Sequence, residues 1–164
     1  MCTEIDINVV LTVLNLVVTT ISLVVVVGIY KQWEVQKRKE VLADEASMLI
    51  DKIIELRAAV IHFRTIKDPE YEKTGCEKIG DGRDLIESYL NVISSTVKEF
   101  SSTGLYKDLV QTNRDYTVSI TEMIRFLDGS QADGDHKYKM FLNSTKELIR
   151  LLTKIKFYRY DDCI

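Results

Sequence analysis

Residues 9–30, VVLTVLNLVVTTISLVVVVGIY, run for 22 positions without a charged side chain. A helix needs about 20 apolar residues to cross the hydrocarbon core of a bilayer. Runs such as Val24 to Val27 favour strands in water, but a lone segment in lipid must satisfy its own backbone, which a helix does. A cleaved signal peptide would need a positive leader, a shorter apolar core and a small-residue cleavage site. Here Glu4 and Asp6 precede the core, and the exit is Ile29-Tyr30-Lys31-Gln32-Trp33. Residues 1–30 are therefore expected to be an uncleaved anchor.

The flanks set an expected orientation. Residues 1–30 hold no Lys or Arg, whereas Lys31, Lys37, Arg38 and Lys39 crowd the far side. The positive-inside rule puts the N-terminus outside and residues 31–164 in the cytoplasm of a cell (inner) membrane. Tyr30 and Trp33 stand where interfacial aromatics belong. A reducing cytoplasm suits Cys76 and Cys163 as thiols, while Cys2 would face outward and be open to pairing between chains.

Polar residues inside the apolar run share one face. Asn8, Thr12, Asn15, Thr19 and Ser22 are spaced 4, 3, 4 and 3. That is the spacing of a coiled-coil seam. A lipid-facing amide is costly, and interhelical hydrogen bonds contribute about 0.6–2 kcal/mol each. The stripe is expected to meet another helix or water. One reading makes it a helix-packing seam; the other makes it the lining of a pore built from four or more copies. Both imply oligomerisation, with another copy (a homo-oligomer) or another protein as the partner.

Beyond the anchor the pattern is helical. Between Lys31 and Lys67 there is no Gly or Pro, and Val35, Leu42, Leu49, Leu56 and Phe63 recur every seven residues. Lys39, Ala46, Ile53 and Val60 fall between them, completing a 4-3 seam for a bundle or an oligomer. One long helix, 31–67, is expected, continuous with the anchor or separate from it. Its seam lies a half-turn from the polar stripe, since Asn8 to Val35 is 27 steps of about 100°.

Asp68-Pro69 should end that helix and could cap a short one with Pro at its first position, and Gly75, Gly80 and Gly82 mark residues 75–82 as a loop. Three further helices are expected at roughly 83–101, 105–128 and 136–158. Their inward positions are Ile86, Tyr89, Leu90, Ile93, Val97 and Phe100, then Tyr106, Leu109, Asn113, Tyr116, Ile120, Met123 and Leu127, then Phe141, Leu148, Leu152 and Ile155. Asn113 within such a seam suits a register-fixing amide. The expected class is all-α: one N-terminal transmembrane helix (1–30) followed by a cytoplasmic bundle of about four helices (31–164).

Charge is segregated. Residues 68–135 carry seven Lys or Arg against fourteen acids, and residues 136–164 carry seven against three. In the last helix Lys139, Asn143, Lys146, Arg150 and Lys154 form one stripe away from the core. It reads either as a solvated face paired with the acidic middle helices or as a site for an anionic ligand, such as a nucleotide or oligonucleotide. Tyr138, Phe157, Tyr158 and Tyr160 nearby supply stacking surfaces or core.

Signals for catalysis are sparse. The chain has two histidines, His62 and His136, and no GxxxxGK[ST], GxSxG or GxGxxG motif. No metal and no cofactor are expected. Arg57-Ala-Ala-Val-Ile-His62 resembles the Arg-x4-6-His pattern of HEPN ribonucleases, which would imply RNA cleavage across a dimer. The match lacks the polar residue after the Arg, and it sits in the first cytoplasmic helix rather than late in the bundle.

The layout as a whole resembles the small oligomeric channel effectors of bacterial anti-phage systems that answer a nucleotide or oligonucleotide signal, such as that of the Hailong system. The resemblance implies a non-enzymatic pore opened or shut through its cytoplasmic assembly, with depolarisation as the outcome. A neighbouring-gene partner is an open possibility under it. The alternatives are a membrane-tethered adaptor without a pore and a tethered HEPN-like ribonuclease.

Overall fold

A computed structural model describes residues 7–65, 69–100, 103–127 and 134–157. Four helices account for them: α1 (Ile7–Thr65), α2 (Pro69–Phe100), α3 (Thr103–Leu127) and α4 (Gly134–Lys156). No strand occurs among the described residues. The chain divides into two compact units, Met1–Glu40 and Val41–Ile164. The first holds the apolar part of α1, which is long and apolar enough to cross a membrane.

The second unit is a helical bundle with one apolar core. Its α1 portion buries Leu42, Ala46, Leu49, Ile53, Leu56 and Val60. These are the expected seam positions, and they close against α2, α3 and α4 of the same chain. Four positions named for α2, Ile86, Leu90, Ile93 and Val97, are buried, as are Leu109, Tyr116, Ile120 and Met123 of α3. On α4 Phe141, Leu148, Leu152 and Ile155 are buried. Removing that much apolar surface from water is the main stabilising term, at about 25 cal/mol per Å2.

Side-chain pairs fix the direction of each helix. Phe63 and Leu56 of α1 lie against Gly75 and Gly82 of α2, so residue numbers fall on one helix as they rise on the other. Lys98 stacks on Tyr106, and Tyr116 feels the charges of Glu87 and Arg83, which sets α2 antiparallel to α3. Phe126 meets Gly134, Glu122 meets Lys137, and Ser119 shares a hydrogen bond with Ser144, which sets α3 antiparallel to α4. Arg64 pairs with Asp135 and stacks on Tyr138, joining the end of α1 to the start of α4.

The expected loop at 75–82 is absent: α2 begins at Pro69 and runs through all three glycines. Two of them serve packing rather than turning. A Cβ at Gly75 would fall inside the Phe63 ring, and one at Gly82 would come within 2.9 Å of Leu56 Cδ1. Glycine lets α1 and α2 approach closely, at a cost in helix propensity of about 1 kcal/mol per site. Ile79, placed by the sequence in that loop, is a fully buried core residue. Pro69 occupies the first helical position, where its missing N–H leaves no bond unmade.

Candidate functional site

The polar stripe lies on a part of α1 that is exposed among the described residues. Every residue from Ile7 to Trp33 is exposed. Most of the hydroxyls on it are already satisfied. Thr12 Oγ1 donates to the Asn8 carbonyl at 2.7 Å, and Thr19 Oγ1 to the Asn15 carbonyl at 2.7 Å. Thr20 and Ser22 do the same to Leu16 and Val18, both at 2.8 Å. This back-bonding is the usual refuge of a hydroxyl in an apolar helix. An amide has two N–H donors and cannot be satisfied this way in full. Asn15 makes no side-chain hydrogen bond among the described residues, so it carries the strongest demand for an external partner.

The seven-residue seam divides. Leu42, Leu49 and Leu56 are buried within the chain's own bundle, and Phe63 is half-buried over Gly75. Val35 is exposed and lies in the first unit. The apolar seam of the second unit is thus occupied inside one chain.

Lys139, Asn143, Lys146, Arg150 and Lys154 are all exposed on α4, opposite its buried residues. They form the continuous basic face the spacing implies. Arg150 Nε is hydrogen-bonded to Glu147 Oε2 on its own helix at 2.7 Å. On the adjacent helix Asp108, Asp115 and Glu122 recur every seven residues, and Glu122 reaches Lys137, beside the basic face of α4, at 3.4 Å.

Buried polar atoms also occur on α2 and α3, and Glu87 of α2 acts electrostatically on Tyr116 of α3. Glu87 Oε1, Ser94 Oγ, Asn113 Oδ1 and the Tyr116 hydroxyl are buried without a hydrogen-bond partner. Burial, reinforced by the Glu87 charge, pushes the Tyr116 phenol well above its ordinary value of 10.0. The seam spacing located Asn113 and Tyr116 but not Glu87 and Ser94 of α2, whose burial depends on packing against other helices.

Arg57 is half-buried and His62 is exposed, about 140° apart around one helix. Among the described residues no group of three His, Cys, Asp or Glu is placed to hold a metal ion. Cys76 is half-buried, and Cys2, Cys163, Tyr158 and Tyr160 lie outside the described residues. No family model matches the chain, and no curated protein or solved structure matches it.

Proposed function

We propose that the chain is a single-span membrane protein whose copies associate through the polar stripe of α1 and enclose a pore. The N-terminus would lie outside and the helical bundle in the cytoplasm, following the Lys and Arg of the flank. The observation that carries this reading is the fully exposed stripe of Asn8, Thr12, Asn15, Thr19 and Ser22, with the Asn15 amide unpartnered. In lipid that amide must find water or another helix. The bundle would act as the control element, with the exposed basic face of α4 as the surface on which a nucleotide or oligonucleotide acts. Depolarisation as an anti-phage response is the physiological role that fits such a device.

The test is the mass of the detergent-solubilised full chain, followed by ion flux from liposomes. Four or more copies, with flux lost in Asn15→Leu and Thr19→Leu, is the expected result. Unchanged flux in both variants removes the stripe from the pore axis.

A second reading is a tethered adaptor without a pore. The back-bonded hydroxyls favour it, because they reduce the demand of the stripe to the Asn15 amide, which a dimer satisfies. A dimer of single spans encloses no channel, so the same mass measurement separates the two.

A further inference from the structure

The bundle carries two exposed faces of opposite charge. On α1, opposite the core residues Leu49, Ile53 and Leu56, stand Asp44, Asp51 and Glu55, all exposed. On α4, opposite Leu148 and Leu152, stand Lys146, Arg150 and Lys154 with Lys139 and Asn143. Both faces belong to the Val41–Ile164 unit.

Their heights along the bundle agree. Arg64 is bonded to Asp135 and stacked on Tyr138, so position 64 of α1 is level with 135–138 of α4. The helices run in opposite directions with the same rise per residue. Glu55 lies 9 residues below that junction (64 − 55), and Lys146 lies 8–11 below it (146 − 138 to 146 − 135). Asp51 lies 13 below and Arg150 12–15 below; Asp44 lies 20 below and Lys154 16–19 below. Two pairs coincide, and the third falls within one helical turn. Each face also has an exposed apolar residue near its lower end: Val41, 51% exposed, is 23 below, and Phe157, 67% exposed, is 19–22 below.

We infer that the α4 face of one copy docks on the α1 face of the next, Lys146 meeting Glu55, Arg150 meeting Asp51 and Lys154 meeting Asp44. Copies standing side by side with parallel axes meet level to level, so no slip is required. A pair joined by one such contact leaves one face of each kind open, so the contact can propagate to further copies. Within the chain Glu55 is bonded to Lys52 and Arg150 to Glu147, both as exposed pairs, and exposed pairs of this kind are weak enough to exchange. An anionic ligand on the same lysines would have to displace the neighbour, so control and assembly share one surface. This inference rests on the self-association proposed above.

The test is charge reversal in the full chain in detergent, read by light scattering, with circular dichroism to confirm the fold. D51K/E55K and K146E/R150E are each expected to lower the population of assemblies above the dimer by roughly tenfold or more, through like-charge contact. The chain carrying all four reversals, and an equimolar mixture of the two double variants, should both recover it. Unchanged mass in the double variants, or no recovery in the fourfold variant, overturns the contact. So does loss of tripolyphosphate binding in K146E/R150E at unchanged mass, which would make the α4 face an anion site alone. A monomeric parent chain would instead defeat self-association itself; an assembled parent indifferent to every reversal defeats only this contact.

Discussion

Tyr116 shows how a single buried atom shapes stability. Its ring fills the α2–α3 seam, but its hydroxyl is buried without a hydrogen bond beside Glu87. A buried unsatisfied polar group costs about 1–3 kcal/mol. Tyr116→Phe keeps the ring and removes that group, so it should stabilise the protein by about 1 kcal/mol in denaturant unfolding. The folded-state pKa is raised, so the neutral phenol is the form the fold prefers. Its contribution is fully present below pH 10.0, the ordinary value, and is lost as pH rises beyond it. Wild-type stability should therefore fall faster than that of Tyr116→Phe above pH 10; parallel curves would contradict the burial.

Asn15 is the counterpart in the apolar run. The hydroxyls of Thr12 and Thr19 bond to their own backbone, so Thr19→Val should weaken self-association by less than Asn15→Leu. The expected loss for Asn15→Leu is about 0.6–2 kcal/mol per interhelical hydrogen bond, measured by energy transfer between labelled chains in lipid. Equal losses from the two substitutions would show that the hydroxyls, not the amide, hold the seam.

At the scale of elements, α2 is the instructive helix. Its glycines break the sequence pattern, and turn chemistry is the natural reading of Gly75, Gly80 and Gly82 seen alone. The helix persists because its apolar face, including Ile79, gains more from burial than the glycines lose in propensity. The three positions should answer differently to alanine. At Gly80 a Cβ meets nothing within 4 Å, so Gly80→Ala should stabilise by about 0.5–1 kcal/mol. Gly75→Ala drives a methyl into the Phe63 ring and should destabilise by about 1–3 kcal/mol. Thermal unfolding of the two variants decides this; a shift of the same sign in both would mean that α2 does not approach α1 as described. The α3 and α4 helices were legible to within two residues at each end, because strong 3-4 periodicity and short connections left little competition.

For the whole molecule, the division after Glu40 makes a prediction about autonomy. A chain beginning at Val41 retains all the buried residues of the bundle. It should be helical by circular dichroism and unfold in one cooperative thermal transition, as small single domains do. A broad, non-cooperative melt would show that the bundle depends on the preceding unit. The same chain lacks the polar stripe, so comparing its mass with that of the full chain isolates what residues 1–40 add to assembly.

Some properties of this protein were written in the sequence. The all-helical class, the apolar run long enough to cross a membrane, the stripe from Asn8 to Ser22 and the basic face of α4 all follow from local spacing, because helical periodicity determines which residues share a face. Other properties waited on the tertiary structure. Periodicity shows that a face is apolar but not which partner covers it, so only packing showed that Leu42, Leu49 and Leu56 are buried within the chain's own bundle. The same holds for Gly75 and Gly82, whose role is set by Phe63 and Leu56 on another helix. It holds again for the matched heights of Asp51 and Arg150, which exist only once Arg64 has tied the end of α1 to the start of α4.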